Sequence, residues 1–361
     1  MKKIPAIILV FLLYNSVVYY LGWNIQQFLH DVCHMDSVLP FAIIWVIIAY
    51  SILIGRINHS FDLFTIIGYY WMAVLQYGLM IFPLTNLVIW LTPTTMKIPI
   101  EIIAALLFVG VIAIGVYFAY APVVRRQQIT IPNNKLAGQS LRISIGSDFH
   151  FGLVMRKGML KKFVELSNAE NPDIVLLAGD LVDDVPYWYG KYNMAEEMLK
   201  LRATYGVYGI LGNHEYYGKQ LKETIYQMEQ SNIRMLIDET IEIPGVCLLT
   251  GREDATNKAR KKLEDLQQPS ELPWLIMDHT PDDIETPNAL GANLQVSGHT
   301  HRGQMWPNQF ITSKTFPLDY GYKKMAHLHA ITTSGFGFWG PPVRTNSRSE
   351  MWVVDIKFTE L

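Results

Sequence analysis

Cysteine, charge and long basic runs are all scarce in this sequence of 361 residues. Its two cysteines, Cys33 and Cys247, exclude a framework of several disulfides. Charged residues make up 17% of the chain, against about 25% in an average globular protein. The formal net charge is -2 and no long basic run occurs, so the sequence predicts no nucleic-acid partner.

Charged residues are scarcest in the first third of the chain, where four apolar runs occur. The first three contain no Asp, Glu, Lys or Arg, and the fourth contains only Glu101. Each has roughly the length of about 20 residues that a helix needs to cross a bilayer, and a charge at the centre of such a helix would cost about 2.5–3.5 kcal/mol. We therefore expect a bundle of about four transmembrane helices in residues 1–121 and a second domain in residues 122–361. The four runs are residues 4–22, 38–55, 66–91 and 98–121.

Basic residues near the ends of these runs predict the orientation. With four spans, five basic residues fall on one side and only Lys97 falls on the other. The positive-inside rule then places both termini in the cytoplasm. A break in the third run, which contains Pro83 and Asn86, would change the number of spans and reverse this orientation. The five basic residues are Lys2, Lys3, Arg56, Arg125 and Arg126.

From about residue 122 the pattern changes to short apolar strands that alternate with amphipathic helices. Residues 141–146 alternate with period two, and residues 173–177 and 206–211 are apolar runs. A helical pattern follows the first and the third of these segments. Further strands are predicted at residues 246–250, 273–277, 292–296, 329–333 and 351–358. We expect a layered α/β domain with mixed strands near its C-terminus.

Five polar blocks each follow one of the apolar runs. In α/β sheets, ligands gather beyond the carboxyl ends of the strands, so these distant blocks are expected to converge. Carboxylate, amide and imidazole ligands without thiolate suit Mn, Fe or Zn, and two ions about 3.5–4 Å apart suit phosphoryl transfer. The blocks are Asp148-Phe149-His150, Gly179-Asp180, Gly212-Asn213-His214-Glu215, Asp278-His279-Thr280-Pro281 and Gly298-His299-Thr300-His301.

In this order the blocks resemble the calcineurin-like metallophosphoesterase superfamily, whose pattern is D-x-H, G-D, G-N-H-[DE], H and G-H-x-H. The resemblance covers residues 141–358 and implies a four-layer fold, with two mixed β-sheets flanked by helices. It implies that one metal is held by Asp148, His150, Asp180 and His301. The other would be held by Asp180, Asn213, His279 and His299. It also implies that His214 faces the substrate and that Asp183 orients this histidine.

Segments near the C-terminus, residues 303–307, 320–321 and 335–344, are similar to a bacterial membrane-anchored branch of the superfamily. Some members of that branch cleave the pyrophosphate of UDP-diacylglucosamine. Together with the four predicted spans, the resemblance implies a multi-pass protein of the bacterial inner membrane. Arg302 stands where that branch often has Gly, and Thr280 where Gln is common. Arg302 and Arg344 are candidates for phosphate binding through the guanidinium fork, or members of structural ion pairs.

These observations together predict a membrane-bound two-metal phosphohydrolase, with Mn the expected metal and Fe or Zn as alternatives. Its expected substrate is a phosphoester, phosphodiester or pyrophosphate that is linked to a lipid, because a site at the bilayer surface would meet lipid headgroups at high effective concentration. A soluble nucleotide or phosphoprotein is the alternative substrate. A membrane sensor or scaffold that binds metal without catalysis is the alternative from another class. The sequence carries no signal for an oligomeric state.

Overall fold

The computed structural model describes residues 3–360, which form two compact units. The first unit is the N-terminal helical part, which ends at Val116 and takes in Gly340–Val343. The second unit comprises Tyr117–Trp339 and the segment from Arg344 onward.

Five α-helices make up the N-terminal part. They are α1 (Lys3–Cys33), α2 (Val38–Ala49), α3 (Ser51–Gly55), α4 (Asp62–Leu91) and α5 (Lys97–Tyr120). Within the described residues, three stretches are long and apolar enough to cross a membrane, namely Pro5–Cys33, His59–Leu91 and Thr94–Tyr120. Helix α4 continues through Pro83, so the third apolar run is one unbroken helix.

The second apolar run differs from the expected single helix, because it is divided at Tyr50 into α2 and α3. In a continuous helix the carbonyl of Ala49 would accept a hydrogen bond from the amide of Leu53. Here the hydroxyl of Tyr14 donates to that carbonyl, and the Leu53 amide donates to Tyr50 instead, at 3.0 Å. At the break, the Tyr14 side chain of α1 thus takes the place of the missing helical hydrogen bond. Helix α2 by itself has only 12 residues.

Contacts between the helices show that successive passes run in opposite directions. Trp45 of α2 donates to the carbonyl of Val18 at 2.8 Å, whereas Ala49, further along α2, contacts the earlier residue Tyr14. These two helices are therefore antiparallel. On α4 the order is reversed, since Trp71 donates to Tyr14 and Asn86 donates to Asn24, both at 2.9 Å. Helix α4 is therefore parallel to α1, and the short pair α2 and α3 returns the chain between them.

The second unit contains two six-stranded sheets and seven further helices. In the first sheet the strand order is β1-β12-β2-β3-β4-β5, and only the β12–β2 pair is antiparallel. In the second the order is β10-β11-β9-β8-β7-β6, with antiparallel pairs at both edges. Two mixed sheets with flanking helices confirm the expected fold class.

The strands are β1 (Val123–Pro132), β2 (Ser140–Gly146), β3 (Ile174–Ala178), β4 (Val207–Ile210), β5 (Arg234–Met235), β6 (Glu239–Ile243), β7 (Cys247–Gly251), β8 (Trp274–Met277), β9 (Leu294–Ser297), β10 (Gly321–Lys324), β11 (His329–Thr332) and β12 (Glu350–Thr359). The helices are α6 (Lys157–Ala169), α7 (Tyr187–Lys191), α8 (Ala195–Met198), α9 (Asn213–Gly218), α10 (Leu221–Gln230), α11 (Glu285–Ala289) and α12 (Gln309–Thr315).

The core of this unit lies between the two sheets. Ile143 and Leu176 of the first sheet belong to the same buried cluster as Leu249 and Val296 of the second. A second cluster, which includes Phe163 of α6, covers the other face of the first sheet. A third cluster, with residues of β7, β8 and β11, covers the other face of the second sheet, since successive residues of a strand point to opposite faces. Both sheets are therefore buried on both faces, which holds the carboxyl ends of the parallel strands in place.

Candidate metal centre

The predicted site residues lie at the carboxyl ends of the central strands. Asp148 follows β2 by two residues and Asp180 follows β3 by two residues, while Asn213 begins α9 just after β4. In the second sheet His279 follows β8 and His299 follows β9 in the same way. Neighbouring strands within each of these two sets are parallel, so each sheet presents its residues along one edge.

The backbone at these residues is left-handed, which non-glycine residues adopt only rarely. The φ angle is 51° at Asp148, 48° at His150, 51° at Asp180, 70° at His299 and 48° at His301. Such conformations cost free energy and cluster at functional sites. Here they turn the chain sharply at the end of each strand, and the side chains that follow converge.

Two glycines allow the strand ends to approach one another closely. A Cβ atom on Gly212 would lie 2.2 Å from Oδ1 of Asp180, and one on Gly298 would lie 2.3 Å from Oδ2 of Asp148. Both distances are well below van der Waals contact. Glycine at these two positions is therefore a steric requirement of the site.

One group of ligating atoms is formed by Asp148, His150 and His301. The Nε2 atoms of His150 and His301 lie 3.0 Å apart, and Nε2 of His301 lies 3.6 Å from Oδ1 of Asp148. Burial lowers the pKa of His150 to about 3 and holds the pKa of His301 well below its usual range. Both imidazoles are therefore neutral near pH 7, and neutral imidazole is the form that binds a metal.

The other group is formed around Asn213. Its Oδ1 lies 2.7 Å from Nδ1 of His299 and 3.2 Å from Nε2 of His279. Nδ1 of His279 donates to the carbonyl of Ala178 at 2.8 Å, which fixes the ring and directs Nε2 toward the group. Burial alone would lower the pKa of His279, but the charge of Asp180 raises it well above the usual value. The carboxylate of Asp180 thus favours a positive charge at the position of Nε2 of His279, 3.2 Å from its Oδ2.

Asp180 lies between the two groups. Its Oδ2 is 3.7 Å from Nε2 of His150 and 3.2 Å from Nε2 of His279. Its Oδ1 accepts a hydrogen bond from the backbone amide of His214 at 2.9 Å. One carboxylate thus faces both histidine sets, which is the arrangement that a bridging ligand requires.

His214 lies against the first group, with its ring 4.6 Å from the ring of His150. We expected Asp183 to orient this histidine, but Nδ1 of His214 donates to Oδ1 of Asp184 at 2.7 Å, whereas Asp183 is 3.8 Å away. Asp184 has a left-handed backbone, with φ 60°, where its side chain turns toward His214. Burial alone would lower the pKa of His214, but the hydrogen bond with Asp184 and the nearby carboxylates raise it to about 9.

Glu215 is a site residue whose role was not predicted from the sequence, although it belongs to the third polar block. It is fully buried and accepts hydrogen bonds from the amides of Val182 at 2.9 Å and Gly212 at 2.6 Å. Burial raises its pKa to about 8. Glu215 thereby ties the segment after β3 to the segment after β4, and both segments carry ligating residues.

Arg344 does not have either role expected of it, because it is completely buried and, among the described residues, its hydrogen bonds go to backbone carbonyls and a hydroxyl. Its guanidinium donates to the carbonyls of Ser334 and Gly337, and at 3.4 Å to that of His301. The hydroxyl of Ser347 also accepts from Arg344, at 2.9 Å from Nη2. Arg344 therefore holds the loop that carries His301 and is unavailable to a phosphate.

Arg302 is half-buried, and its guanidinium lies over the ring of Tyr320, 4.5 Å from the centroid. The hydroxyl of Tyr320 donates to Glu350 at 3.1 Å, which fixes the ring. The other departure from the family pattern, Thr280, donates to Asp254 at 2.8 Å. Phosphate binding by Arg302 stays a prediction.

The donor set fits divalent metal ions. Three groups of close ligating atoms of His and Asp occur within the described residues: Asp148, His150 and His301; Asp148, Asp180 and His279; and His150, Asp183 and His214. The amide oxygen of Asn213 adds a further donor beside His279 and His299. All donors are nitrogen or oxygen, as Mn, Fe and Zn prefer in the absence of thiolate. In the first group Nε2 of His150 and Nε2 of His301 lie 3.0 Å apart, and Nδ1 of each ring is buried without a hydrogen-bond partner among the described residues, so nitrogens of both rings are available to a cation.

Comparisons with known proteins agree with this chemistry. A family model for calcineurin-like phosphoesterases matches residues 141–303. An uncharacterised metallophosphoesterase of Campylobacter jejuni is 28% identical over 275 residues, which cover 71% of each chain. One from Aquifex aeolicus is 29% identical over 246 residues, covering 64% of this chain and 92% of that protein. A Danio rerio protein named as a transmembrane protein with a metallophosphoesterase domain is 27% identical over 283 residues, covering 71% of this chain and 63% of that protein.

Proposed function

We propose that this metal-dependent phosphoester hydrolase acts at a membrane on a substrate that is linked to a lipid. Its residues 141–303 belong to the calcineurin-like phosphoesterases. The observation that carries the proposal is the position of Asp180 between two sets of ligating atoms, with His214 beside them. The bond that is cleaved is a phosphoester, a phosphodiester or a pyrophosphate.

Two divalent ions would be held by this donor set. Asp148, His150, Asp180 and His301 would bind one ion. Asp180, Asn213, His279 and His299 would bind the other. When bound, two such ions neutralise phosphoryl oxygens and lower the pKa of water. We propose Mn as the metal, with Fe and Zn as the alternatives that the same donors accept.

His214 is proposed as the acid that protonates the leaving oxygen. The reaction forms a bond between a water oxygen and phosphorus and breaks the bond from phosphorus to the leaving oxygen, which takes a proton. Asp184 accepts the Nδ1 proton of His214, so the ring is held with Nε2 as its second proton-bearing atom. The neighbouring carboxylates favour the imidazolium form, from which this proton can be given.

A lipid-linked substrate is supported by the helical unit and by a relative. Three stretches of the described chain are apolar and long enough to cross a bilayer, and the Danio rerio relative is named as a transmembrane protein. A substrate in the same bilayer would meet the enzyme at high effective concentration. Soluble nucleotides or phosphoproteins are the alternative substrates, and they require no such helices.

We further propose that the phosphoesterase domain lies in the cytoplasm of a bacterium. Lys97, at the start of α5, pairs with Asp31, near the end of α1, so α5 runs back toward the end from which α1 begins. Lys2 and Lys3 stand at the start of the sequence, where α1 begins, and Arg125 and Arg126 follow α5. The positive-inside rule assigns both pairs to the cytoplasmic side.

Hydrolysis by the full-length protein in detergent tests the proposed chemistry. With Mn present, we expect turnover of a diester such as bis-p-nitrophenyl phosphate and of lipid-linked phosphodiesters, with the lipid substrates preferred. Asp180→Asn and His214→Ala should each lower kcat by about 100-fold or more. Asp265→Asn, which alters an exposed carboxylate of the same domain, is the matched control and should retain full activity.

Undiminished activity in both Asp180→Asn and His214→Ala would refute the proposed site. If both variants lost activity but a soluble nucleotide proved a better substrate than any lipid, the phosphohydrolase would stand and the lipid-linked substrate would be wrong.

A further inference from the structure

A cavity of about 330 Å³ lies inside the N-terminal helical unit and has no part in the proposed chemistry. Its volume falls in the range of about 300–1,000 Å³ that is usual for small-molecule sites. Residues of α1, α4 and α5 line it, and most of the lining is apolar. Phe28, Phe82 and Phe108 contribute aromatic rings, one from each helix.

Polar and charged groups also line the cavity, which is unusual for helices of this composition. Asn86 of α4 lines it and is held by its hydrogen bond to Asn24, while Lys97 and Glu101 of α5 line it from the third helix. Ionisable groups within apolar helices are costly and mark sites of function. The lining of the cavity is therefore amphipathic, since it combines aromatic rings with hydrogen-bonding groups.

Glu101, which also interacts with Asp31, has one oxygen without a hydrogen-bond partner among the described residues. The residue is only 8% exposed, and the oxygen in question is Oε2. Its Oε1 lies 3.8 Å from Nζ of Lys97, which is too long for a hydrogen bond. Lys97 instead forms its close contact with Asp31, which His30 also binds, at 2.8 Å. The cation nearest to Glu101 is thus already engaged by another carboxylate.

We propose that this cavity binds a membrane amphiphile that carries a primary ammonium group, such as an aminophospholipid. Its ammonium group donates to the unpartnered oxygen of Glu101, and its acyl chain lies along the three phenylalanine rings. A buried carboxylate is stabilised when a cation with N–H donors faces it, so both charge and hydrogen bonding favour this headgroup. A quaternary ammonium lacks the donor, and an anionic headgroup would face a like charge.

Native mass spectrometry of the full-length protein in detergent tests this assignment without reference to its activity. The probes are dioleoyl-phosphatidylethanolamine, dioleoyl-phosphatidylcholine and dioleoyl-phosphatidylglycerol, titrated separately. We expect the apparent Kd for the ethanolamine lipid to be at least about tenfold lower than for the other two, as charge-assisted hydrogen bonds predict. Glu101→Gln should abolish that preference.

A second variant and a matched control separate binding from folding. Ala105→Phe places a large side chain in the cavity without changing charge, and it should weaken binding of the ethanolamine lipid by a similar factor. Asp36→Asn removes an exposed carboxylate at the end of the same helical unit and should bind as the wild type does. Each variant is compared only if it elutes from size-exclusion chromatography as a single species.

Equal binding of the three lipids by the wild type would overturn the proposal. It would also be overturned if both Glu101→Gln and Ala105→Phe kept the wild-type preference. Either result leaves the proposed phosphohydrolase untouched, because none of these residues belongs to the metal centre.

Discussion

Asp183 and Asp184 are adjacent, yet only Asp184 lies within hydrogen-bond distance of Nδ1 of His214. Asp184 is also half-exposed, whereas burial raises the pKa of Asp183 to about 6. The two carboxylates therefore have different tasks. Asp184 orients the imidazole ring, and Asp183 adds negative charge behind it.

Substitution of each carboxylate by its amide distinguishes these tasks. Asp184→Asn should lower kcat by about 10- to 100-fold, because His214 loses the acceptor that fixes its ring as a proton donor. The loss should be larger for an alkyl phosphodiester than for a p-nitrophenyl ester, since a good leaving group needs less protonation. Steady-state kinetics with both substrates measure the effect.

Asp183→Asn is the matched control for this experiment and should lower kcat by a smaller factor. A greater loss in Asp183→Asn than in Asp184→Asn would show that the neighbouring carboxylate is the orienting group after all.

At the scale of elements, the site depends on how closely the ends of β3 and β4 approach. Gly212 lies beside Asp180, and an added Cβ would be 2.5 Å from the Asp180 amide nitrogen and 2.2 Å from its Oδ1. Glu215 joins the same two segments through its hydrogen bonds to Val182 and Gly212. A side chain at position 212 must therefore move one strand end away from the other.

Gly212→Ala should lower kcat/KM by about 100-fold, because a displacement of about 1 Å in a catalytic group has an effect of that size. Gly158→Ala, in helix α6, is the matched control, since its Cβ would meet no atom within 4 Å. Full activity in Gly212→Ala, measured on the same diester, would contradict the steric account.

The elements that carry the ligating residues were predictable from the sequence, whereas several others were not. Strands β2, β3 and β4 are short apolar runs that end in polar blocks, so their pattern indicates both the strand and the site. Strand β1 was missed because Arg125, Arg126 and two glutamines interrupt its pattern, and it forms by pairing with β12 more than 200 residues away. Such pairing leaves little local trace in a sequence.

The role of Arg344 could not be predicted from the sequence for a related reason. Its partners are mainly backbone carbonyls of segments that approach only in the folded chain. The sequence also could not show which of Asp183 and Asp184 contacts His214, because the left-handed backbone at Asp184 directs these side chains. Composition and spacing carry no information on such backbone geometry.

For the whole molecule, the direction of α5 decides on which side of a membrane the catalytic domain lies. Trp45 and Ala49 show that α2 runs back along α1, and the ion pair between Asp31 and Lys97 places the start of α5 beside the end of α1. The short pair α2 and α3 is therefore expected to serve as one pass. Together with α1, α4 and α5, this pair would give four passes through the membrane. An even number of passes is what the distribution of basic residues predicts.

Labelling of cysteines with a membrane-impermeant maleimide tests this topology in cells. Cys33 is exposed, Cys247 is buried, and Ser60 lies in the exposed segment between α3 and α4. We expect Cys33 to react in intact spheroplasts. In a Cys33→Ser background, Ser60→Cys should react only after permeabilisation. Reaction of both sites from the same side would show that α2 and α3 do not cross.

The central claim is that one carboxylate, Asp180, joins two divalent ions. The most direct test is the number of Mn ions bound per chain, measured by inductively coupled plasma mass spectrometry after dialysis of the full-length protein. The wild type should hold about two ions, His299→Ala should keep the ion of the other set, and Asp180→Asn should lose affinity for both. A wild type that binds one ion or none, or an Asp180→Asn variant that binds as many ions as the wild type, would contradict the account.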